Sequence, residues 1–182
     1  MEQPSFETLL AGLAEIRRSP PDDGRLELIV RRPSSGVREV LETGELTRSD
    51  GLVGDSWNQR PSRRSPDGGP HPEMQLNIIN SRAIALIAQS PDRWPLAGDQ
   101  LYVDLDLSET NLPAGTRLAI GTAVIEVTAE PHTGCAHFSR RFGPDARRFV
   151  NSDGGTAVRA RGINAKVVVP GTITEGDRIT KV

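Results

Sequence analysis

The feature that most constrains the fold is a two-residue hydrophobic period that returns in short runs along most of the chain. Leu26, Leu28 and Val30 alternate with Glu27, Ile29 and Arg31, and Met74, Leu76 and Ile78 alternate with Gln75 and Asn77. Leu101, Val103 and Leu105 repeat the pattern, as do residues 117–120 and then Ala123, Ile125 and Val127. Successive side chains of a strand point to opposite faces, so each run reads as a strand with one buried face. Pro33-Ser34-Ser35-Gly36 and Gly121-Thr122 punctuate these runs as hairpin turns, the first leading into a short strand over 37–41. The last two strands are expected over 163–169 and 178–182, with Gly176-Asp177 turning between them. Roughly seven to nine short strands without regular βαβ alternation predict a mainly β fold with a few short helices. The sheet is expected to be antiparallel, closed or nearly closed into a barrel.

Helical spacing appears only locally. Phe6, Leu9, Leu10, Leu13 and Ile16 form one apolar stripe behind the capping residue Ser5, and Pro20-Pro21 ends it. This helix is expected to pack on the outside of the main body. A second helix is expected over 82–89, capped by Asn80 or Ser81 and closed by Pro91. A third runs over 138–142, breaks at Gly143-Pro144 and restarts with proline in the first turn. The division expected is an N-terminal helical extension, 1–22, and a barrel domain, 23–182. Residues 55–72 carry Pro61, Pro66, Pro70, Pro72, Gly68 and Gly69 among Arg60, Arg63 and Arg64, and no periodicity survives there. A loop of that length inside a compact domain is expected to be a flap beside a site.

Charge narrows the function. The chain is −2 overall, which argues against a nucleic-acid or membrane-surface binder. Between Glu130 and Lys166, however, seven basic residues face three acidic ones, leaving that segment at +4 and the remainder at −6. A basic island in an acidic chain suits a small anionic cofactor or substrate. There is one cysteine, so no internal disulfide can form, and a reducing cytoplasm is the expected compartment. The first twenty residues have neither a basic start nor an apolar block, and no run is long enough to span a bilayer.

The candidate reactive group is Cys135, in Pro131-His132-Thr133-Gly134-Cys135-Ala136-His137-Phe138. A cysteine that follows glycine and opens a helix lies where backbone N–H groups and the helix dipole favour the thiolate. That form attacks sulfur, carries a persulfide or ligates a soft metal. His132, Arg140 and Arg141 add positive charge nearby in sequence. A buried, inert cysteine is the bland alternative, but this one sits in a polar loop between two histidines. His132, Cys135 and His137 could also suggest zinc, although no second ligand pair exists, and with His71 a three-ligand catalytic site is conceivable. A Cys–His–Asp nucleophile arrangement stays open, with no aspartate singled out.

Several phrases, in their order, resemble MOSC domains. They are Gly51-Leu52-Val53-Gly54-Asp55, Leu112-Pro113-Ala114-Gly115-Thr116-Arg117-Leu118, Ile120-Gly121, Val124-Ile125-Glu126-Val127-Thr128, Gly134-Cys135, Arg161-Gly162 and Val169-Pro170-Gly171-Thr172-Ile173 with Gly176-Asp177. The resemblance covers roughly residues 26–182 and implies a free-standing bacterial relative of the C-terminal module of molybdenum cofactor sulfurases, a β-barrel with peripheral helices. It implies molybdenum ion binding, with Cys135 in the place of the family cysteine as metal ligand or sulfur carrier. In fused members the family is associated with pyridoxal phosphate, which belongs to a separate transferase domain. On this resemblance Cys135 is the catalytic and metal-ligating residue. Arg140, Arg141 and Arg161 would hold the phosphate of molybdopterin, the organic part of the molybdenum cofactor. Asn77 and Asn164 would meet the pterin, with His71, His132 and His137 around the site. The activities implied are a molybdenum-dependent oxidoreductase or a sulfur transferase served by a cysteine desulfurase. The alternative is a non-catalytic regulatory or protein-binding barrel.

Overall fold

The computed structural model describes residues 3–62 and 65–182. Chain order runs α1 (Phe6–Ala11), α2 (Leu13–Ile16), β1 (Gly24–Arg31), β2 (Glu39–Leu41), β3 (Thr43–Thr47), β4 (Gly51–Leu52) and β5 (Leu76–Asn80). There follow α3 (Ser81–Ala88), β6 (Leu101–Asp104), β7 (Arg117–Ile120), β8 (Ala123–Val127), α4 (Ala136–Phe142), α5 (Pro144–Val150) and α6 (Asp153–Ala157). The chain ends with β9 (Ile163–Val169), β10 (Gly171–Thr174) and β11 (Arg178–Lys181). Short 3-10 turns occupy Ser56–Gln59, Pro72–Met74 and Pro91–Ala97.

Seven strands close into a ring in the order β1-β11-β7-β8-β9-β5-β6, β6 pairing back onto β1, while β2 extends the sheet outside the ring. The barrel expected from the alternation is therefore present and closed, but it is mixed. β5 and β6 run parallel, Ile78 beside Leu101 and Asn80 beside Val103, whereas the other ring pairings are antiparallel. A parallel neighbour needs a crossover on the outside of the sheet. Helix α3 and the turn Pro91–Ala97 supply it; the helix was expected over 82–89, but the parallel direction of the strands it joins was not. A second sheet, β10-β3-β4, was not expected from sequence, and β10 lies within what reads as a plain turn between the last two strands.

Two apolar clusters divide the residue types. The barrel interior is aliphatic, built from residues such as Leu26, Ile29, Leu76, Ile78, Ile125, Ile163 and Ile179. The rings go outside: Phe138, Phe142, Phe149 and Tyr102 pack with Ile84, Ile87, Leu9, Leu13 and Ile16 between the barrel wall and its helices. The N-terminal stripe thus meets α3 and α5 side chains, although Gly12 splits the one expected helix into α1 and α2. Asn80 caps α3 by accepting from the Ala83 N–H at 2.9 Å, so one residue ends β5 and starts the crossover. No helix among the described residues is long and apolar enough to cross a membrane.

Candidate functional site

At one end of the barrel a cleft of about 580 Å³ is lined by Cys135, His137, Asn77, Ser34, Ser35 and Ser56 together with five arginines, Arg32, Arg38, Arg60, Arg141 and Arg161. No described carboxylate lines it. That volume is in the range of small-molecule and cofactor sites.

Two of the arginines are buried and fixed. Arg32, at the end of β1, donates from Nε and Nη2 to Asp55 at 2.8 and 2.9 Å. Its Nη1 donates to Asn77 Oδ1 at 2.9 Å and to the Gly98 carbonyl at 2.6 Å. Arg161 donates from Nη1 to both Asp99 oxygens at 3.0 and 2.7 Å and from Nη2 to the Ala97 carbonyl at 3.1 Å, its guanidinium lying over the Phe138 ring. Such doubly bonded, desolvated pairs hold the walls in one geometry. Burial lifts the Asp99 carboxyl above its ordinary value, against the pull of Arg161.

The other three carry open charge. Arg38 donates to the Pro95 carbonyl, Arg60 to Ser56 Oγ and Arg141 to the Leu96 carbonyl. None of the three forms an ion pair with a described carboxylate. Burial, and then the charges of Arg141 and Arg32, hold the Arg38 guanidinium below its usual value; burial and then Arg32 do the same to Arg60. Like charges crowded in a half-buried cleft repel one another, and an anion seated there relieves the repulsion.

Cys135 opens α4 as its N-cap and is exposed, at the edge of this charge. Its backbone is set from behind: the Gly134 N–H donates to Asn151 Oδ1 at 2.9 Å, and Asn151 Nδ2 donates to the Gly134 carbonyl at 3.1 Å. A Cβ on residue 134 would lie 2.6 Å from Val150 Cγ2 and 3.1 Å from Asn151 Nδ2, so this approach requires glycine. Phe138 and Phe142 anchor the helix in the outer cluster.

The residues singled out from sequence separate into groups. Cys135, His137, Asn77, Arg141 and Arg161 share the cleft. Asn164 is fully buried beneath it, accepting from Asn77 Nδ2 at 2.7 Å and donating to the Glu130 carbonyl, so it positions Asn77 and does not reach the cleft. Arg140 is exposed outside the lining, with Nη2 2.6 Å from His137 Nδ1. His71 lies in an adjoining recess of about 200 Å³ that shares Arg32, Arg60 and Asn77 with the cleft. His132 lies in the wall of a different chamber, so the three histidines and Cys135 do not assemble as a zinc site. No cluster of three His, Cys, Asp or Glu residues suited to a metal exists among the described residues.

Arg32, Arg38 and Arg60 were missed as site residues. They come from the N-terminal third, whereas only two of the seven basic residues of the 130–166 island reach the cleft. A signal existed in the Gly51–Asp55 phrase, whose Asp55 is the partner of Arg32. The 55–72 loop does border the site through Ser56, Gln59 and Arg60; Arg63 and Arg64 lie outside the described residues.

The sequence profile of the MOSC domain matches residues 69–180. No curated protein matches the chain. Among solved structures, the YuaD protein of Bacillus subtilis is similar at a TM-score of 0.63 and 18% identity, covering 86% of this chain and 93% of that one. YiiM of Geobacillus stearothermophilus is similar at 0.60 and 13%, covering 87% and 75%. YiiM of Escherichia coli is similar at 0.54 and 19%, covering 87% and 69%. These likenesses speak to the fold, and the profile match spans more than half of the sequence: the chain belongs to the MOSC domain family.

Proposed function

We propose that this protein binds molybdenum cofactor in the arginine-lined cleft, with Cys135 as the protein's ligand to the metal. The observation that carries the reading is an exposed thiol at the edge of a cleft that holds five guanidinium groups, three of them without a described carboxylate partner.

The residues present fit such a group. A thiolate is a soft ligand suited to molybdenum, and a single protein ligand suffices where the cofactor brings its own sulfur donors. Guanidinium forks match phosphate oxygens, and Arg38, Arg60 and Arg141 are free to turn toward them. Asn77 presents a neutral carboxamide, oriented by Arg32 and Asn164. When bound, the cofactor supplies a redox-active metal centre. This chain's residues neutralise its charge, orient it and hold the thiolate at its edge.

Metal analysis of protein expressed in a cofactor-competent host tests the reading. About one molybdenum and one pterin per chain is expected for the native sequence and none for Cys135→Ser; native protein that holds neither removes it.

A second reading is favoured by the exposure of Cys135, which leaves its sulfur accessible to a partner protein. In it, the Cys135 thiolate attacks the outer sulfur of a cysteine desulfurase persulfide. A new S–S bond forms on Cys135, and the desulfurase cysteine leaves as thiolate. Mass spectrometry after incubation with a desulfurase and free cysteine should then show one added sulfur on Cys135. An unchanged mass rules this reading out.

A further inference from the structure

A second chamber, of about 240 Å³, lies behind the loop that leads to Cys135 and is walled by residues such as His132, Thr133, Val150, Asn151, Ile163 and Arg161. Among the described residues Arg161 alone borders both this chamber and the cysteine cleft.

Its chemistry differs from that of the cleft. Arg161 is neutralised by Asp99. Arg159 donates to the Leu107 and Leu112 carbonyls and lies 4.0 Å from Glu109, and Glu130 lies 3.7 Å from His71. Both guanidinium groups of the wall thus stand beside a carboxylate, with Val150, Ile163, Ala129 and Pro131 as apolar surface.

His132 is the distinctive group. Its side chain is 12% exposed, and Nδ1 is fully buried with Asp99 Oδ1 at 3.5 Å as its nearest carboxylate. Among the described residues Nδ1 has no hydrogen-bond partner, and neither does Arg161 Nε. A short approach of ring and carboxylate closes the Nδ1–H···Oδ1 bond, and catalytic bonds of this kind are often long before a ligand is bound. Once Nδ1 carries the proton, Nε2 is left as the lone-pair nitrogen. His132 is among the residues that line the chamber. Gly162, at φ +104°, makes room for this arrangement: a Cβ there would press on the Ile78 carbonyl and come within 3.3 Å of His132 Nδ1. Burial, and then the Arg161 and Arg32 charges, push the imidazole well below its ordinary value, so the ring is neutral at pH 7.

The geometry points to a second ligand site: the chamber takes a small uncharged molecule whose polarised N–H or O–H donates to His132 Nε2, with Asp99 orienting the ring. The site is independent of what occupies the cleft.

Histidine-selective ¹⁵N labelling of the full chain tests this, because only His71, His132 and His137 contribute signals. The expected tautomer of His132 is protonated at Nδ1. Titration with nicotinamide, a neutral planar amide, should displace the His132 Nε2 signal saturably, with half-saturation in the millimolar range, and leave His137 in place. Inorganic phosphate should do the reverse, moving His137 in the cleft. Ala129→Trp, or Thr156→Phe as a second blocking variant, should abolish the nicotinamide response while the phosphate response at His137 reports an intact fold. An Nε2-protonated tautomer, a His132 signal that nicotinamide does not move, or a response that survives both blocking variants overturns the proposal. A nicotinamide response without any phosphate response sustains the chamber and counts against the cleft reading alone.

Discussion

Asn151 grips Gly134 by both backbone groups, accepting from its N–H at 2.9 Å and donating to its carbonyl at 3.1 Å, and so sets the residue that precedes Cys135. Cys135 thus takes its position from a side chain on the segment after α5. Asn151→Ala removes both bonds and is expected to cost about 1 kcal/mol of stability. It should also change the rate of Cys135 alkylation by iodoacetamide severalfold. Urea unfolding and labelling kinetics on the same variant check this; if neither moves, the clamp has no role.

The three arginines without carboxylate partners should dominate anion binding. Arg38→Ala, Arg60→Ala and Arg141→Ala are each expected to weaken inorganic phosphate binding by roughly three- to tenfold and to flatten its salt dependence. Arg140→Ala should leave it nearly unchanged, since Arg140 stands outside the lining. Calorimetric titration separates the two classes.

Asp99 and Arg161 behave as a unit. Asp99 is completely buried and Arg161 is 7% exposed. Removing the carboxylate leaves a desolvated cation without its partner, and Asp99→Ala is expected to cost about 3–5 kcal/mol. The pair Asp99→Leu with Arg161→Met should recover most of that loss. A double variant as unstable as the single one would show that the charges themselves, and not their balance, hold this wall.

His132 imposes a pH dependence. Its folded value lies well below the ordinary 6.5, so in the window below pH 6.5 the unfolded chain binds a proton that the folded chain refuses. Stability from this group is complete above that pH. It is lost as pH falls through the window, by up to about 1.4 kcal/mol per pH unit, until the folded value is reached. The difference between the native chain and His132→Asn, followed by unfolding at a series of pH values, should show this slope; parallel curves would contradict it.

Cys135→Ser should be silent in stability, within about 0.5 kcal/mol, because the side chain is exposed. On the proposed reading the same variant should retain no molybdenum by metal analysis, and on the second reading it should gain no sulfur by mass spectrometry.

The strands that close the ring could be read from sequence because each buries one face against an aliphatic interior, and burial of one face writes itself as alternation. Where that condition fails, the pattern fails too. Gly51–Leu52 is too short to show a period, and in the small side sheet the buried face of Thr43–Thr47 carries only Gly44 and Leu46 and that of Gly171–Thr174 only Ile173, too few apolar side chains to write an alternation. The parallel β5–β6 pair was hidden for another reason: direction is set by the crossover path, and a lone helix after a strand is compatible with either direction. Cys135 could be singled out by its polar setting. Arg32, Arg38 and Arg60 could not, since their convergence depends on barrel closure and not on neighbours in the chain.

The ring's seam joins Gly24 to Ile179 and Arg25 to Arg178, its first strand to its last. On a ribosome, a chain of this topology cannot seal its wall until the final strand has emerged. Until then the aliphatic lining stays within reach of other nascent chains. Trimming a few residues from β11 should therefore act on solubility during synthesis more severely than its four-residue length suggests.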